Sequence, residues 1–279
     1  MNVPPAEDDN IFEITPSKEQ EQLATIIHEI ETNVLTRYIR LLQASTNPAL
    51  LTEKIDLNNL GFLFDEIDFS VEGALDSKEI AEAKQKTYFD LNVGSIKTPK
   101  FEKGMQLIRQ LVSEGKKVLV WGMFVGTMRK IHQELNNAGI FSHLIYGATP
   151  KDDRVDLINE FRDGDVQVLI SNPATLGESI SLHQSVHDAV YFEYNFNLTF
   201  MLQSRDRIHR LGLSADQYTR YYYLMSEGTS AHKSFIDKQV YDRLKEKEKV
   251  MLNAIDGQFL LPEISDDYLD DVKKILFRE

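Results

Sequence analysis

Short apolar runs alternate with amphipathic stretches through the middle of the chain, from about residue 100 to residue 228. The runs have the length and composition of strands, and they are Val118–Trp121, His143–Tyr146, Val166–Ser171, Ala189–Glu193 and Tyr218–Met225. The stretches between them have helical spacing, and they cover residues 101–113, 126–136, 150–161 and 199–211. Strands that alternate with helices of about ten residues predict a parallel sheet with helices on both faces, which is an α/β fold.

The segments on either side of this region have a different pattern. Ser17 precedes apolar residues at helical spacing, and this helical region ends near Pro48, because proline disfavours helix at the preceding residue. Residues 55–99 are polar and interrupted by glycines, which indicates a variable insertion. After Gly228 we expect one long charged helix, whose broken apolar stripe favours packing as a brace over a free coiled coil. The predicted organisation is a helical lead-in over 1–54, the insertion over 55–99, an α/β lobe over 100–228, and a brace helix with an acidic tail over 229–279.

A helix start is signalled at Thr149 and Pro150. Threonine is a favourable N-cap, and proline is favourable at the first helical position. Asp152 and Asp153 follow in the first turn, where negative charge complements the helix dipole. Since helix N-termini bind phosphate groups, we expect Thr149 to lie at a candidate phosphate contact.

Composition excludes several classes of function. The chain has no cysteine, so disulfides, thiolate zinc sites and cysteine nucleophiles are excluded. It has no apolar run of the roughly 20 residues that span a bilayer. Its N-terminus is acidic and contains proline, unlike a signal peptide. We therefore expect a soluble protein with no membrane partner, located in the cytoplasm, with the nucleoid, or in a eukaryotic nucleus.

The net charge of −13 argues against a protein that coats nucleic acid by bulk electrostatic attraction. Acidic residues outnumber basic residues before residue 101 and after residue 254, whereas the two are balanced between these positions. We expect the acidic run Glu263–Asp271 to be solvated surface. Any anion site must therefore be local and must consist of a few arginines and backbone amides.

The sharpest cluster of chemically capable residues is the segment from Gln203 to Gly212. If this segment is helical, Gln203, Arg207 and Arg210 lie four and three residues apart and share one face. Two guanidinium groups and an amide on one face are donors suited to a polyphosphate. The alternative, which spacing alone leaves open, is a solvated polar face on which Asp206 pairs with a neighbour.

The segment reads Gln-x-x-Asp-Arg-x-His-Arg-x-Gly, and it resembles the last helicase motif of the Swi/Snf-type ATPases in superfamily two. The resemblance implies a RecA-like lobe. It also implies that Arg207 and Arg210 are arginine fingers, with Gln203 as a helper near the nucleotide. Arginine fingers stabilise the charge on a phosphoryl group during its transfer.

Other motifs occur in the order of that family. Residues 117–124 resemble the motif that opens the second lobe, and 146–161 resemble its Gly-Thr…Arg…Ile…Phe stretch. Residues 169–182 resemble the loop motif that contacts the DNA backbone and couples it to the nucleotide, and 35–50 resemble the segment between the lobes. The resemblance covers about residues 15–255, except for 55–98.

The loop motif implies further site residues. Ser171 and Thr175, together with the helix start at Thr149, are candidate contacts to the DNA backbone. Gly177 and Ser179 are candidate contacts to the nucleotide. Ser179 replaces the second glycine of the family pattern Gly-x-Gly-x-Asn-Leu, and a serine replaces its asparagine at position 181, so the backbone geometry and the polar contact at these two positions are not carried over.

The sequence contains no phosphate-binding loop of the form Gly-x-x-x-x-Gly-Lys-Ser/Thr. The segment between Gly122 and Gly126 has no lysine and the wrong spacing, and it is interpreted as a turn with tight helix packing. The acidic segment Phe64–Asp68 would suggest a Mg²⁺ site in another context, but no phosphate loop precedes it. His183 and His187 have no third partner at metal-ligand spacing, so no metal site is expected in this chain.

These inferences predict the C-terminal motor lobe of an ATP-dependent double-stranded-DNA translocase, either as part of a longer chain or as a split gene product. ATP and Mg²⁺ would be held mainly by a P-loop RecA-like lobe, supplied in cis or in trans, and the isolated chain is expected to be inactive. Two alternatives remain. One is a motor-derived binding or regulatory module without its own catalysis. The other is a small-molecule α/β enzyme, which lacks a dinucleotide fingerprint, a nucleophile elbow and a carboxylate pair.

Overall fold

The computed structural model describes residues 4–56, 60, 75–176, 181–214, 216–228, 234–255 and 268–277. The chain forms two compact units. The first, the sheet unit, consists of residues 1–13, 100–194 and 199–225, and the second, the helical unit, consists of 14–99, 195–198 and 226–279.

Six strands form the sheet in the order β1-β6-β5-β2-β4-β3. Their bounds are β1 Asn10–Ile14, β2 Val118–Trp121, β3 Ser142–Ile145, β4 Val168–Ser171, β5 Asp188–Tyr191 and β6 Arg220–Ser226. Strand β2 pairs in parallel with β4 and β5, β3 pairs in parallel with β4, and β5 pairs in parallel with β6. Beside the first strand, the Glu7 N–H donates to the Thr219 carbonyl at 3.0 Å, and the Glu227 N–H donates to the Ile14 carbonyl at 2.9 Å. These bonds advance along both strands together, so β1 is also parallel.

Every residue of β2, β4 and β5 is buried. Because successive side chains of a strand point to opposite faces, both faces of these central strands are covered. The predicted parallel α/β fold is confirmed. The strand that begins at Asn10 was not predicted, because an edge strand recruited from more than 200 residues away in sequence leaves no local signal beyond its own apolar residues.

The helices of the sheet unit are α4 Pro99–Ser113, α5 Val125–Asn137, α6 Lys151–Asp163 and α7 Leu198–Arg205. Helix α4 approaches the sheet closely at Gly104. A β-carbon placed there would lie 2.2 Å from Phe192 Cζ and 2.6 Å from Leu224 Cδ1, so only glycine allows this packing.

The helical unit contains α1 Lys18–Ile30, α2 Val34–Thr46, α3 Lys78–Asp90, α8 Asp237–Ile255 and α9 Tyr268–Phe277, with short 3₁₀ helices at Pro48–Thr52 and Val93–Ser95. The predicted N-cap is confirmed, because the Ser17 hydroxyl accepts the Gln20 N–H in a reciprocal capping box. No described helix is long and apolar enough to cross a membrane.

The interpretation of the acidic run Glu263–Asp271 as solvated surface is wrong at its last residue. Asp271 lies in α9 and is only 1% exposed. Its carboxylate pairs with the Arg243 guanidinium, and Lys247 Nζ lies 2.7 Å from its second oxygen. A carboxylate between two cations can be buried because its charge is compensated. Residues 263–267 lie outside the described part of the chain.

Candidate functional site

The segment Arg205–Gly212, called the arginine turn here, follows helix α7. The prediction that Gln203, Arg207 and Arg210 share one helix face is wrong, because the helix ends at Arg205. Beyond this point the backbone tightens into turns, because the Arg207 and Ile208 N–H groups donate to carbonyls three residues earlier, those of Ser204 and Arg205, at 3.4 and 3.2 Å. Neighbouring elements also bond to these turns. The Tyr221 hydroxyl donates to the Arg205 carbonyl at 3.0 Å, and the Leu182 N–H donates to the Arg207 carbonyl at 2.9 Å.

The two candidate arginines differ in exposure. Arg207 is 7% exposed, whereas the Arg210 side chain is 38% exposed and its Nε lies 4.0 Å from an Asp206 carboxylate oxygen. Burial lowers the pKa of Arg207, and the positive charge of Arg210 lowers it further. The two guanidinium groups are thus near enough to repel each other, and an anion between them would relieve that repulsion.

The arginine turn contacts the segment that follows the loop motif. Besides the bond from Leu182, Gly212 adopts a φ of +107° and packs against His183, whose Nε2 would lie 3.1 Å from a β-carbon at this glycine. Burial lowers the pKa of His183, and the Arg210 charge lowers it further. His183 therefore packs against the arginine turn beside a positive charge that disfavours its protonated form.

The N-terminal segment Pro4–Asp9, called the strap here, holds the arginine turn from another side. Arg205 Nη1 lies 3.0 Å from Asp9 Oδ1, and the Arg205 guanidinium stacks on the Tyr221 ring at 4.1 Å. The His209 Nε2 lies 2.8 Å from the Pro4 carbonyl oxygen. The strap thus fixes the residues on both sides of Arg207. No local pattern in the sequence predicts this contact, because the partners are about 200 residues apart.

Thr149 does not cap the following helix, so this prediction is wrong. Pro150 takes the N-cap position without a side-chain hydrogen bond, and the Thr149 hydroxyl instead accepts the Tyr146 N–H at 3.1 Å. Arg154 holds the same turn by donating to the carbonyls of Thr149 and Gly147 at 2.8 and 2.9 Å. Thr149 is therefore half-buried in a closed turn at the carboxyl end of β3.

The next loop begins at Ser171, the last residue of β4. Ser171 is fully buried, and its hydroxyl donates to the Ile145 carbonyl at 2.7 Å. The expectation of a DNA contact from this side chain is therefore wrong, because the hydroxyl joins β4 to β3. Thr175 is half-buried, and its N–H donates to the Asn172 side-chain oxygen at 2.9 Å. Since β3 and β4 are parallel neighbours, Thr149 and Thr175 both follow carboxyl ends at one edge of the sheet.

Several predicted positions lie outside the described residues. These are the nucleotide candidates Gly177 and Ser179, and the acidic segment Phe64–Asp68. Within the described part of the chain, no group of three or more histidine or acidic side chains could hold a metal ion. Gln203 is half-buried on α7.

Glu193 is a residue of this region that the sequence analysis did not single out. It is 3% exposed and follows β5, and its Oε2 accepts the N–H groups of Met123 and Phe124 at 3.0 Å each. Burial raises the pKa of Glu193 to about 7. The carboxyl group fixes the turn that leads into α5, where the chain resembles the motif that opens the family's second lobe. An acidic residue directly after an apolar strand was the available signal.

Comparison with known proteins gives a family match for this part of the chain. The family profile described as helicase conserved C-terminal domain matches residues 99–212. The match includes both arginines and the loop motif, and the resemblance of the chain to Swi/Snf-type ATPases is confirmed.

Two curated relatives are chromatin proteins. The chromatin-remodeling ATPase INO80 of Saccharomyces cerevisiae is 26% identical over 161 residues, which are 57% of this chain and 10% of that protein. A second relative is 29% identical over 165 residues, which are 54% of this chain and 16% of that protein. It is the Caenorhabditis elegans protein described as SWI/SNF-related matrix-associated actin-dependent regulator of chromatin subfamily A containing DEAD/H box 1 homolog. The helicase domain therefore matches only a small part of each relative's length.

Solved structures share the fold. The C-terminal part of the Fun30 ATPase domain superposes with a TM-score of 0.64 at 17% identity, covering 99% of each chain. The Sulfolobus solfataricus SWI2/SNF2 ATPase core, solved in complex with double-stranded DNA, superposes with a TM-score of 0.51 at 18% identity, covering 95% of this chain and 50% of that one. The predicted RecA-like fold is thereby confirmed.

Proposed function

We propose that this chain is the C-terminal motor lobe of an ATP-dependent double-stranded-DNA translocase. In this proposal Arg210 and Arg207 supply positive charge to an ATP site that a P-loop RecA-like lobe completes, in cis or in trans. The observation that carries the proposal is the arginine turn, in which two guanidinium groups are held near each other inside a helicase conserved C-terminal domain.

The positive charges of the arginine turn complement the negative charges of a nucleoside triphosphate. The Arg207 pKa is lowered first by burial and then by the nearby Arg210 charge, and Asp206 compensates for this only in part. Asp206 is 63% exposed and 4.0 Å from Arg210, so solvent weakens this pair. A polyphosphate in this position would accept hydrogen bonds from the Arg210 guanidinium, which is the more exposed of the two.

The residues of this chain would act by position and charge. ATP and Mg²⁺, held mainly by the other lobe, supply the phosphoryl group and neutralise its oxygens. Arg210 would stabilise the charge that develops on that group. Arg207 would hold the arginine turn in place and add to the positive electrostatic potential around it. Gln203 and the loop at Gly177 and Ser179 remain proposed neighbours of the nucleotide.

The proposed DNA contacts lie at the carboxyl edge of β3 and β4. Thr149 and Thr175 occupy the two turns there, and their hydroxyls suit phosphate oxygens rather than base edges. We therefore expect DNA binding without sequence preference. A fold neighbour solved with double-stranded DNA supports this choice of partner.

The proposal predicts that the purified 279-residue chain does not hydrolyse ATP. Adding the P-loop lobe from the same organism, on the same or a separate polypeptide, is expected to produce hydrolysis that double-stranded DNA stimulates. The measurement is phosphate release with each component alone and with both together. Turnover by the chain alone, or no turnover from the combination when both parts are folded, would contradict the proposal.

One observation favours a second function, a binding or regulatory module derived from a motor. Arg207 is only 7% exposed, as expected of an arginine that stabilises structure. Alanine at Arg207 and at Arg210 separates the two functions. A motor lobe loses ATP hydrolysis, whereas a module keeps the hydrolysis of its partner unchanged and alters partner binding.

A further inference from the structure

The helical unit contains a cavity of about 270 Å³ that the proposed motor function does not use. It is lined by residues from the start of α2, from the chain after the first 3₁₀ helix, and from α3. The lining residues are Glu31, Thr36, Arg40, Lys54, Ile55, Leu75, Asp76, Lys78, Ala81, Glu82, Lys84 and Gln85. Its size is near the lower end for sites that bind small organic molecules.

Three polar atoms of the lining are buried, and within the described part of the chain they have no hydrogen-bond partner. They are Thr36 Oγ1, Arg40 Nε and Gln85 Nε2. Thr36 and Arg40 are each only 4% exposed. A buried polar group without a partner destabilises the folded state, so three around one cavity indicate a missing acceptor.

The remaining polar groups of the cavity are already engaged. Lys84 Nζ lies 2.7 Å from Glu31 and 2.8 Å from Asp76, and the Tyr88 hydroxyl donates to the second oxygen of Glu31 at 2.7 Å. Arg40 uses Nη1 and Nη2 on Gln43 and on the carbonyls of residues 50 and 53. The Arg40 Nε–H, an amide N–H of Gln85 and the Thr36 hydroxyl therefore remain available to hydrogen-bond a ligand in the cavity.

The charge of the lining favours an anionic ligand. Four lining side chains are cationic and three are anionic. Lys54 and Lys78, each 72% exposed, share Glu82, so the surplus positive charge is a solvent-exposed lysine that one negative charge in the cavity would balance. The free atoms of Arg40 and Gln85 are donors, which match acceptor oxygens. The other walls are Ile55, Leu75 and Ala81, which favour a short hydrocarbon part over an inorganic anion.

We propose that this cavity binds a small organic monoanion. Its carboxylate accepts hydrogen bonds from Arg40, Gln85 and the Thr36 hydroxyl. Its hydrocarbon part packs on Ile55, Leu75 and Ala81. The site is separate from the arginine turn, and its occupancy stabilises the helical unit by mass action.

The test uses the full chain with acetate, butyrate, hexanoate and the neutral analogue hexanamide. Ligand-observed saturation-transfer NMR measures binding, and thermal unfolding measures stabilisation. Hexanoate is expected to bind and to raise Tm, butyrate to do so less, and hexanamide to bind at least about tenfold more weakly. If none of the carboxylates binds at about 10 mM, the cavity holds only water and the proposal is overturned.

Thr36→Val and Gln85→Met distinguish a ligand site from a structural defect. Each removes an unpartnered buried polar atom without removing a bond that the structure uses. We therefore expect each variant to raise the Tm of the unliganded chain by about 1–4 °C and to weaken hexanoate binding at least about tenfold. Thr87→Val is the matched control, because its hydroxyl is exposed and bonds only to the Ala83 carbonyl; it should leave hexanoate binding unchanged. Unchanged hexanoate binding by Thr36→Val and Gln85→Met, or equal binding of hexanamide and hexanoate, would overturn the assignment.

Discussion

At the scale of single residues, Glu193 is the group with the clearest dependence on pH. Its carboxyl group is buried against the backbone N–H groups of Met123 and Phe124, and burial raises its pKa from 4.5 to about 7. The folded protein therefore binds this proton more tightly than the unfolded chain does. The stabilisation from the protonated group is complete below pH 4.5 and is lost as the pH rises through about 7.

Glu193→Gln is expected to remove this dependence, because the amide oxygen still accepts the two N–H groups and does not ionise. From about pH 5 to about pH 8, the free energy of unfolding of the variant should rise relative to the wild type by about 1–3 kcal/mol. Urea unfolding at several pH values measures the difference. Glu114→Gln is the control at an exposed glutamate, and the account fails if Glu193→Gln and wild type keep a constant difference across this range.

The two arginines show which features of the candidate site could be predicted from the sequence and which could not. Motif and spacing selected Arg207 and Arg210, and the electrostatic proximity of the two side chains supports that choice. Their unequal exposure could not be predicted, because it depends on bonds from Leu182 and Tyr221 that are distant in sequence. Glu193 was missed for a similar reason, since its burial depends on the backbone of a turn 70 residues earlier.

At the scale of elements, most local signals predicted the observed helices and strands. Pairing between segments that are distant in the chain was not predicted. The predicted strand Val118–Trp121 and the helix that starts after Ser17 are confirmed with the bounds or cap that the sequence predicted. The helix predicted over 199–211 is wrong after Arg205, where the backbone tightens into turns with bonds between residues three apart. Strand β1 and the strap contribute to the sheet unit from the far end of the chain, which periodicity cannot reveal.

The strap predicts a measurable link between the N-terminal segment and the arginine turn. Asp9 and Arg205 pair at 3.0 Å with side chains that are 7% and 18% exposed. Asp9→Asn leaves the Arg205 charge without its partner, so we expect the free energy of unfolding to fall by about 1–3 kcal/mol. Amide hydrogen exchange should also speed up in residues 205–212.

Asp163→Asn is the matched control for the strap. Asp163 also pairs with an arginine, Arg162, at 2.6 Å, but it is 63% exposed. Exposed pairs contribute little, so this variant should leave the free energy of unfolding nearly unchanged. Equal effects of Asp9→Asn and Asp163→Asn would show that the strap does not hold the arginine turn.

At the scale of the whole molecule, the sheet unit has the fold of a helicase C-terminal lobe, and the phosphate-binding loop is missing from the sequence. The parallel sheet was predictable, because short apolar strands alternate with helices along the chain. The division into a sheet unit and a helical unit was not, because the helical unit combines residues 14–99 with 226–279. Segments that are adjacent in space but distant in the chain carry no shared local pattern.

The central claim is that the arginine turn supplies charge to ATP hydrolysis, and Arg210 tests it most directly. Arg162 is a close control, because both side chains are 38% exposed and each faces an aspartate that is 63% exposed. The measurement is the rate of DNA-stimulated ATP hydrolysis by this chain together with its P-loop lobe, for Arg210→Ala and for Arg162→Ala. The account predicts a loss of about a thousandfold in kcat for Arg210→Ala, with little change in the KM for ATP, and an unchanged rate for Arg162→Ala. Equal rates for the two variants would contradict it.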